Sequence, residues 1–206
     1  MAKKLSLVAL ISGRGSNLKA IIDAHDPLVE ICAVISNRPQ AGGLMYAEQA
    51  GIPTVVLDHT QFKSRIDFDT ALQTRIDSYQ PKLVVLAGFM RILSPEFVAH
   101  YEGRLFNIHP ALLPAFKGLD THKRALASGV KEHGASVHFV TADLDAGPVI
   151  IQGRVPVLAD DDEESLAARV LREEHRIYPQ AIHWFAEDRL QLQDQQVLLD
   201  GQDVTR

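Results

Sequence analysis

Short apolar runs alternate with helical patterns through the first half of this chain, and few folds can accommodate that alternation. Leu5 to Ile11 reads as a strand, and Ser16 to Ala24 as a helix with Leu18, Ile21 and Ile22 on one face. "VEICAVIS" (29–36) is a second strand, Leu44 to Ala50 a short helix closed by Gly51, and "PTVVLD" (53–58) a third strand. A long helix is expected from Thr60 to Tyr79, with Phe68, Leu72, Ile76 and Tyr79 at helical spacing and Pro81 ending it. "KLVVLAG" (82–88) is apolar throughout, as a parallel strand buried on both faces must be. "SPEFVAHY" (94–101) carries a Ser cap and a Pro at the first helical position, and "RLFNI" (104–108) is a fifth strand. The series implies an α/β fold, a doubly wound, mostly parallel, Rossmann-like sheet. Such sheets bind ligands beyond the carboxyl ends of their strands.

After about residue 130 the pattern changes. "GASVHFVT" and "GPVIIQGRVPV" are consecutive strand-like runs joined by "ADLDA", which suggests a hairpin-like return. A long helix over about 162–186 and two short strands, "RLQLQ" and "QVLLD", complete a C-terminal mixed or antiparallel extension. At 206 residues, with 46% hydrophobic and 23% charged, the chain suits a single domain (1–206) of two halves, 1–100 and 101–206. "MAKKLSLVALISG" begins like a signal peptide, but its apolar run is short and no cleavage site follows, so it reads as the first strand. No run approaches a membrane span. The lone Cys32 excludes an internal disulfide and is expected in the core. A net charge of −5 argues against a nucleic-acid partner. Residues 160–206 are more acidic still, with twelve Asp and Glu against five Arg and no Lys. The expected setting is cytoplasmic, with no membrane partner.

Four places stand out chemically. "SGRGSN" (12–17) follows the first strand and opens the first helix, where Gly13 and Gly15 permit tight turning and helix N–H groups favour an anion. Leu18 stands where a dinucleotide fingerprint has its third glycine, and there is no Walker lysine, so a single phosphate is expected. "NIHP" sets Asn107 and His109 two apart at a strand exit, pointing the same way, a spacing that suits an uncharged donor for an oxyanion and a proton carrier but equally a strand-end Asn and a structural His. "DLDAGP" (143–148) is an acidic turn able to set a carboxylate beside an imidazole, where it would orient the ring and raise its pKa. Glu174 falls on the apolar stripe of the last long helix with Leu166, Val170, Ile177, Ala181 and Phe185, while Glu173 falls off it. A ligand contact, a buried pair with an Arg and a different helical register all remain open for Glu174. "AGFMRIL" (87–93) has the composition of a loop lining a flat pocket. No metal-ligand spacing appears.

Together "ISGRGSN", "VLAGFMRIL", "NIHPALLPAFKG", "GASVHFV", "DLDAGPVI" and "EEHRIYP", in this order, resemble the folate-dependent formyltransferase family, in its phosphoribosylglycinamide formyltransferase branch. The resemblance covers about residues 5–200. It implies transfer of a formyl group from 10-formyltetrahydrofolate to the amine of 5′-phosphoribosylglycinamide in purine synthesis. It implies Asn107, His109 and Asp145 (rather than Asp143) as the catalytic trio. It implies Gly15, Ser16 and Asn17 at the substrate phosphate, and Glu174 on the ribonucleotide. Arg65, Met90, Arg91, Ile92, Leu93 and Asn107 would meet the folate. The first half would then take the phosphate and ribonucleotide, and the second would carry catalysis and the folate. Ala111 and Phe116 depart from the family's pattern by losing two hydroxyls. Methionyl-tRNA formyltransferase is a rival reading that usually adds a tRNA-binding domain. Formyltetrahydrofolate hydrolase, with water in place of the amine, and a non-catalytic nucleotide-binding module are the others.

Overall fold

The computed structural model describes residues 4–204. It divides into two compact units, with the boundary between Asn107 and Ile108. The first unit is the alternating half. Its strands are β1 (Leu5–Ile11), β2 (Val29–Ser36), β3 (Thr54–Val56), β4 (Leu83–Leu86) and the start of β5 (Leu105–His109). The pairs β1–β2, β1–β4, β2–β3 and β4–β5 are all parallel, as βαβ crossovers require. The helices between them are α1 (Ser16–Asp23), α2 (Gly43–Gln49), α3 (Arg65–Asp77) and α4 (Pro95–His100). β1 and β4 carry almost uninterrupted apolar side chains, all but Ser6 buried, because sheet neighbours and helices cover both faces.

Two expectations in this unit need correction. α3 begins at Arg65 rather than Thr60. Asp58 instead caps a 3-10 turn over His59–Gln61, Phe62 is extended, and the Ser64 hydroxyl then accepts from Asp67 N–H to start the helix. Cys32 is only half-buried. Between Leu7↔Ile31 and Val8↔Ala33 the register slips by one, leaving Cys32 as the extra residue of a β-bulge, so it does not pack like its neighbours.

The second unit holds the end of β5, then α5 (Thr121–Ser128), β6 (Glu132–Phe139), β7 (Val149–Pro156) and α6 (Glu163–Ala186). β6 and β7 pair antiparallel, the hairpin-like return expected from the sequence. α6 starts with a reciprocal Asp162/Ser165 capping box and buries Leu166, Val170, Ile177, Tyr178 and Ala181 completely. β8 (Leu190–Gln193), β9 (Gln196–Leu199) and β10 (Gln202–Asp203) form a small antiparallel sheet. Asp194 and Gln195 both have positive φ, as a two-residue hairpin turn demands. The large sheet runs β3-β2-β1-β4-β5-β6-β7, which gives the mostly parallel α/β architecture expected. The helix α5 was not expected. Among the described residues no helix is long and apolar enough to cross a membrane.

Candidate active site

The first unit presents two loops at the carboxyl ends of its strands. In the β1–α1 loop, Gly15 has φ of 75°, and a Cβ there would lie 2.4 Å from Gly43 Cα. The left-handed backbone and the approach of α2 each require glycine here. Gly13 faces open space. Gly15 caps α1 without a side-chain bond, and the helix begins at Ser16. Ser16 is half-buried and Asn17 buried. This is the terminus an anion favours.

The second loop, 88–94, joins β4 to α4. Met90 and Ile92 expose 60% and 61% of their surface, unusual for large apolar side chains, while Leu93 is buried. The Arg91 guanidinium is stacked 4.7 Å from the Phe68 ring centroid. Arg65, the first residue of α3, is exposed. Asn107, on β5 opposite Leu86, is half-buried and closes the first unit.

In the second unit, His109 and Asp145 come together. His109 Nδ1 lies 3.4 Å from Asp145 Oδ2, and the residues are 6% and 9% exposed. The other ring nitrogen, Nε2, donates to the Phe116 carbonyl at 2.9 Å. A carboxylate on one side and a carbonyl on the other hold the orientation of the ring. Asp145 Oδ2 also accepts from Gly118 N–H at 2.9 Å. Asp143, by contrast, is exposed. The turn itself explains this choice. Asp145 has φ of 48°, a left-handed conformation that Asp tolerates. A Cβ at Gly147 would lie 1.8 Å from Phe139 O, so the chain can close against the end of β6 only with glycine there.

Three further histidines surround the pair, and the sequence reading assigned none of them. His138 Nε2 lies 3.9 Å from Asp145 Oδ1, and its Nδ1 donates to Phe139 O at 2.8 Å. Burial is the main force holding its pKa below the ordinary value, opposed by the Phe139 carbonyl and Asp145. The β6–β7 register slips beside His138, which re-aims side chains next to the pair. His133 stands edge-on to Phe116 at 5.7 Å and to His122 at 5.3 Å. Burial, helped by His122 and His109, pushes His133 down to about 4. His122 is also held low, first by burial. Histidines within an apolar strand look like core residues, so only the fold reveals that His133 and His138 border the pair.

Glu174 is 8% exposed on α6, among fully buried Leu166, Val170, Ile177 and Ala181, so the stripe register holds. Glu173, half-buried, lies against Gly153 of β7 and pairs with Arg176 at 2.7 Å. Among the described residues no group of three or more His, Cys, Asp or Glu is arranged to hold a metal ion.

A buried carboxylate–imidazole pair can move a proton and stabilise negative charge on a reacting carbon. Comparison with known proteins gives this chemistry a family. A family model described as formyl transferase matches residues 5–182. The phosphoribosylglycinamide formyltransferase of Escherichia coli is 55% identical over 201 residues, 96% of this chain and 95% of that protein. A trifunctional purine biosynthetic protein of Homo sapiens is 46% identical over 193 residues, 92% of this chain but 19% of that one. Among solved structures, phosphoribosylglycinamide formyltransferase from Coxiella burnetii superposes with a TM-score of 0.94 at 55% identity, covering 98% of this chain and 96% of that one. Glycinamide ribonucleotide transformylase 1 from Symbiobacterium toebii gives 0.93 at 44% identity, covering 97% and 95%.

Proposed function

This chain belongs to the formyl transferase family, among its phosphoribosylglycinamide formyltransferases, and we propose from that premise how its residues divide the work. The reaction carries a formyl group from 10-formyltetrahydrofolate to the amine of 5′-phosphoribosylglycinamide, a step of purine biosynthesis. The amine must attack uncharged, an oxyanion develops on the formyl carbon, and the departing folate nitrogen gains a proton.

His109 is the proton carrier and stabilises the oxyanion; Asn107, two residues before it on β5, donates to the same oxygen. Asp145 orients the imidazole through Nδ1 and stabilises the ring when it holds the transferred proton. The observation that carries this reading is the buried His109–Asp145 pair at 3.4 Å. Gly15, Ser16 and Asn17 offer the α1 N-terminus to the substrate phosphate, and Glu174 takes a polar group of the ribonucleotide. Met90, Arg91, Ile92 and Leu93 form the folate's platform with Arg65 at its charged end. The exposure of Met90 and Ile92, and of Leu144 beside Asp145 at 55%, suits a flat ring system. Residues 1–100 are the phosphate- and ribonucleotide-binding half and 101–206 the catalytic and folate-binding half. The partners are these two small molecules, with neither nucleic acid nor membrane, in the cytoplasm, a setting that goes with the lone cysteine.

The test follows folate absorbance with purified protein. Deformylated folate should appear only when 5′-phosphoribosylglycinamide is present. Release without any amine would instead mark a hydrolase.

A further inference from the structure

At the carboxyl ends of three adjacent strands in the first unit, buried polar side chains are bonded in a line that none of the roles above uses. Ser12 follows β1, Asn37 follows β2, and Gly88 to Met90 follow β4; the strands neighbour one another in the order β2-β1-β4. The Ser12 hydroxyl donates to Asn37 Oδ1 at 2.6 Å and accepts from Met90 N–H at 2.8 Å. Ser12 N–H donates to Gly88 O at 3.1 Å. The Asn37 carbonyl accepts from His59 Nδ1 at 2.8 Å, which anchors Asn37 in turn. At the far end of the same loop, Asp69 on α3 accepts from Ser94 N–H through Oδ2 at 2.7 Å. Ser12, Asn37 and Asp69 are 2%, 1% and 3% exposed.

Burying a hydroxyl, an amide and a carboxylate is unfavourable unless each is engaged. Here the Ser12 hydroxyl, the Asn37 amide and Asp69 Oδ2 are engaged, Asp69 Oδ1 having no partner, and the Ser12 and Asp69 bonds hold one loop at both ends from elements other than the two it joins. Between the anchors stand Met90 and Ile92, apolar and open to solvent. A mere connection from β4 to α4 needs no such fastening, whereas a binding platform does, because affinity falls when the loop must be ordered by the ligand.

Resting on the reading that residues 90–93 take the formyl donor, we propose that Ser12 and Asp69 are positioning residues for that loop, fixing it by hydrogen bonds to Met90 N–H and Ser94 N–H. Neither touches the donor.

Steady-state kinetics of Ser12→Ala, Ser12→Thr, Asp69→Ala, Asp69→Asn and Ile92→Ala test this. Removing one buried anchoring bond should raise KM for 10-formyltetrahydrofolate about tenfold in Ser12→Ala and Asp69→Ala. KM for 5′-phosphoribosylglycinamide should stay within about threefold. Ser12→Thr keeps the hydroxyl and Asp69→Asn an acceptor, so both should recover most of the donor KM. If Ser12→Ala does not fold, the Asp69 pair carries the same comparison. A lower melting temperature with donor KM unchanged, while Ile92→Ala raises it, would overturn the positioning role and leave the platform standing. An unchanged donor KM in Ile92→Ala as well would overturn the platform reading itself.

Discussion

Replacing Asp145 by Asn removes one charge and keeps the shape of the turn. The carboxylate oxygen lies 3.4 Å from His109 Nδ1, and both residues are less than a tenth exposed. Two unit charges at that separation interact by about 5 kcal/mol at an effective dielectric of about 20. Asn retains a dipole toward the imidazole and an acceptor for Gly118 N–H, so roughly half of that energy survives. The remaining loss, about 2–3 kcal/mol, applies when the ring holds the transferred proton and lowers turnover roughly 30- to 150-fold. The assay is steady-state release of deformylated folate at saturating levels of both substrates. KM for each should stay within about threefold, since Asp145 acts through His109 and not on a ground-state contact. Asp143→Asn serves as the control, and its exposed side chain predicts a rate near that of the parent. A normal rate in Asp145→Asn, or an effect confined to KM, would refute this reasoning.

Other perturbations follow from the same geometry. Asn107→Ala should lower turnover roughly 10²–10³-fold if it is an oxyanion donor, and a near-normal rate would reject the role. Glu174→Gln should raise KM for the ribonucleotide about tenfold and leave the folate KM alone; the reverse pattern would move Glu174 to the other substrate. Gly15→Ala forces a side chain into φ of 75° and against Gly43, and should reduce stability by more than about 2 kcal/mol; an unchanged urea midpoint would contradict that. His133 is held at about 4, below its unfolded value, so the unfolded chain binds the extra proton. Stability should therefore be full above about pH 6.5 and fall as pH drops toward 4. Denaturation at several pH values should show a shallower dependence in His133→Phe than in the parent, and equal slopes would remove His133 from the cause.

Where one element's own periodicity decides its place, the sequence was readable. β1 and β2 occupy the residues that their apolar runs marked, and the Glu174 stripe placed a single carboxylate on the buried face of α6. Unexpected features arise from contacts between elements. Cys32 leaves the core because β1 and β2 slip by one residue. The start of α3 is moved by caps at Asp58 and Ser64 that the helical spacing of its apolar residues did not mark. α5 follows two left-handed residues, Gly118 and Asp120, in a segment whose composition reads as loop. Gly15 was legible as a glycine position, but the approach of Gly43 on α2, which also requires it, was not. Ser12 and Asp69 carry no local signal at all, because their hydrogen bonds join residues far apart in sequence.

His109→Ala, followed in a single turnover with both substrates bound, tests the account most directly. The account predicts a transfer rate lower by roughly 10³-fold or more, with binding of 10-formyltetrahydrofolate and 5′-phosphoribosylglycinamide unchanged. Transfer within about tenfold of the parent enzyme would contradict it, and would take the reacting carbon away from the His109–Asp145 pair.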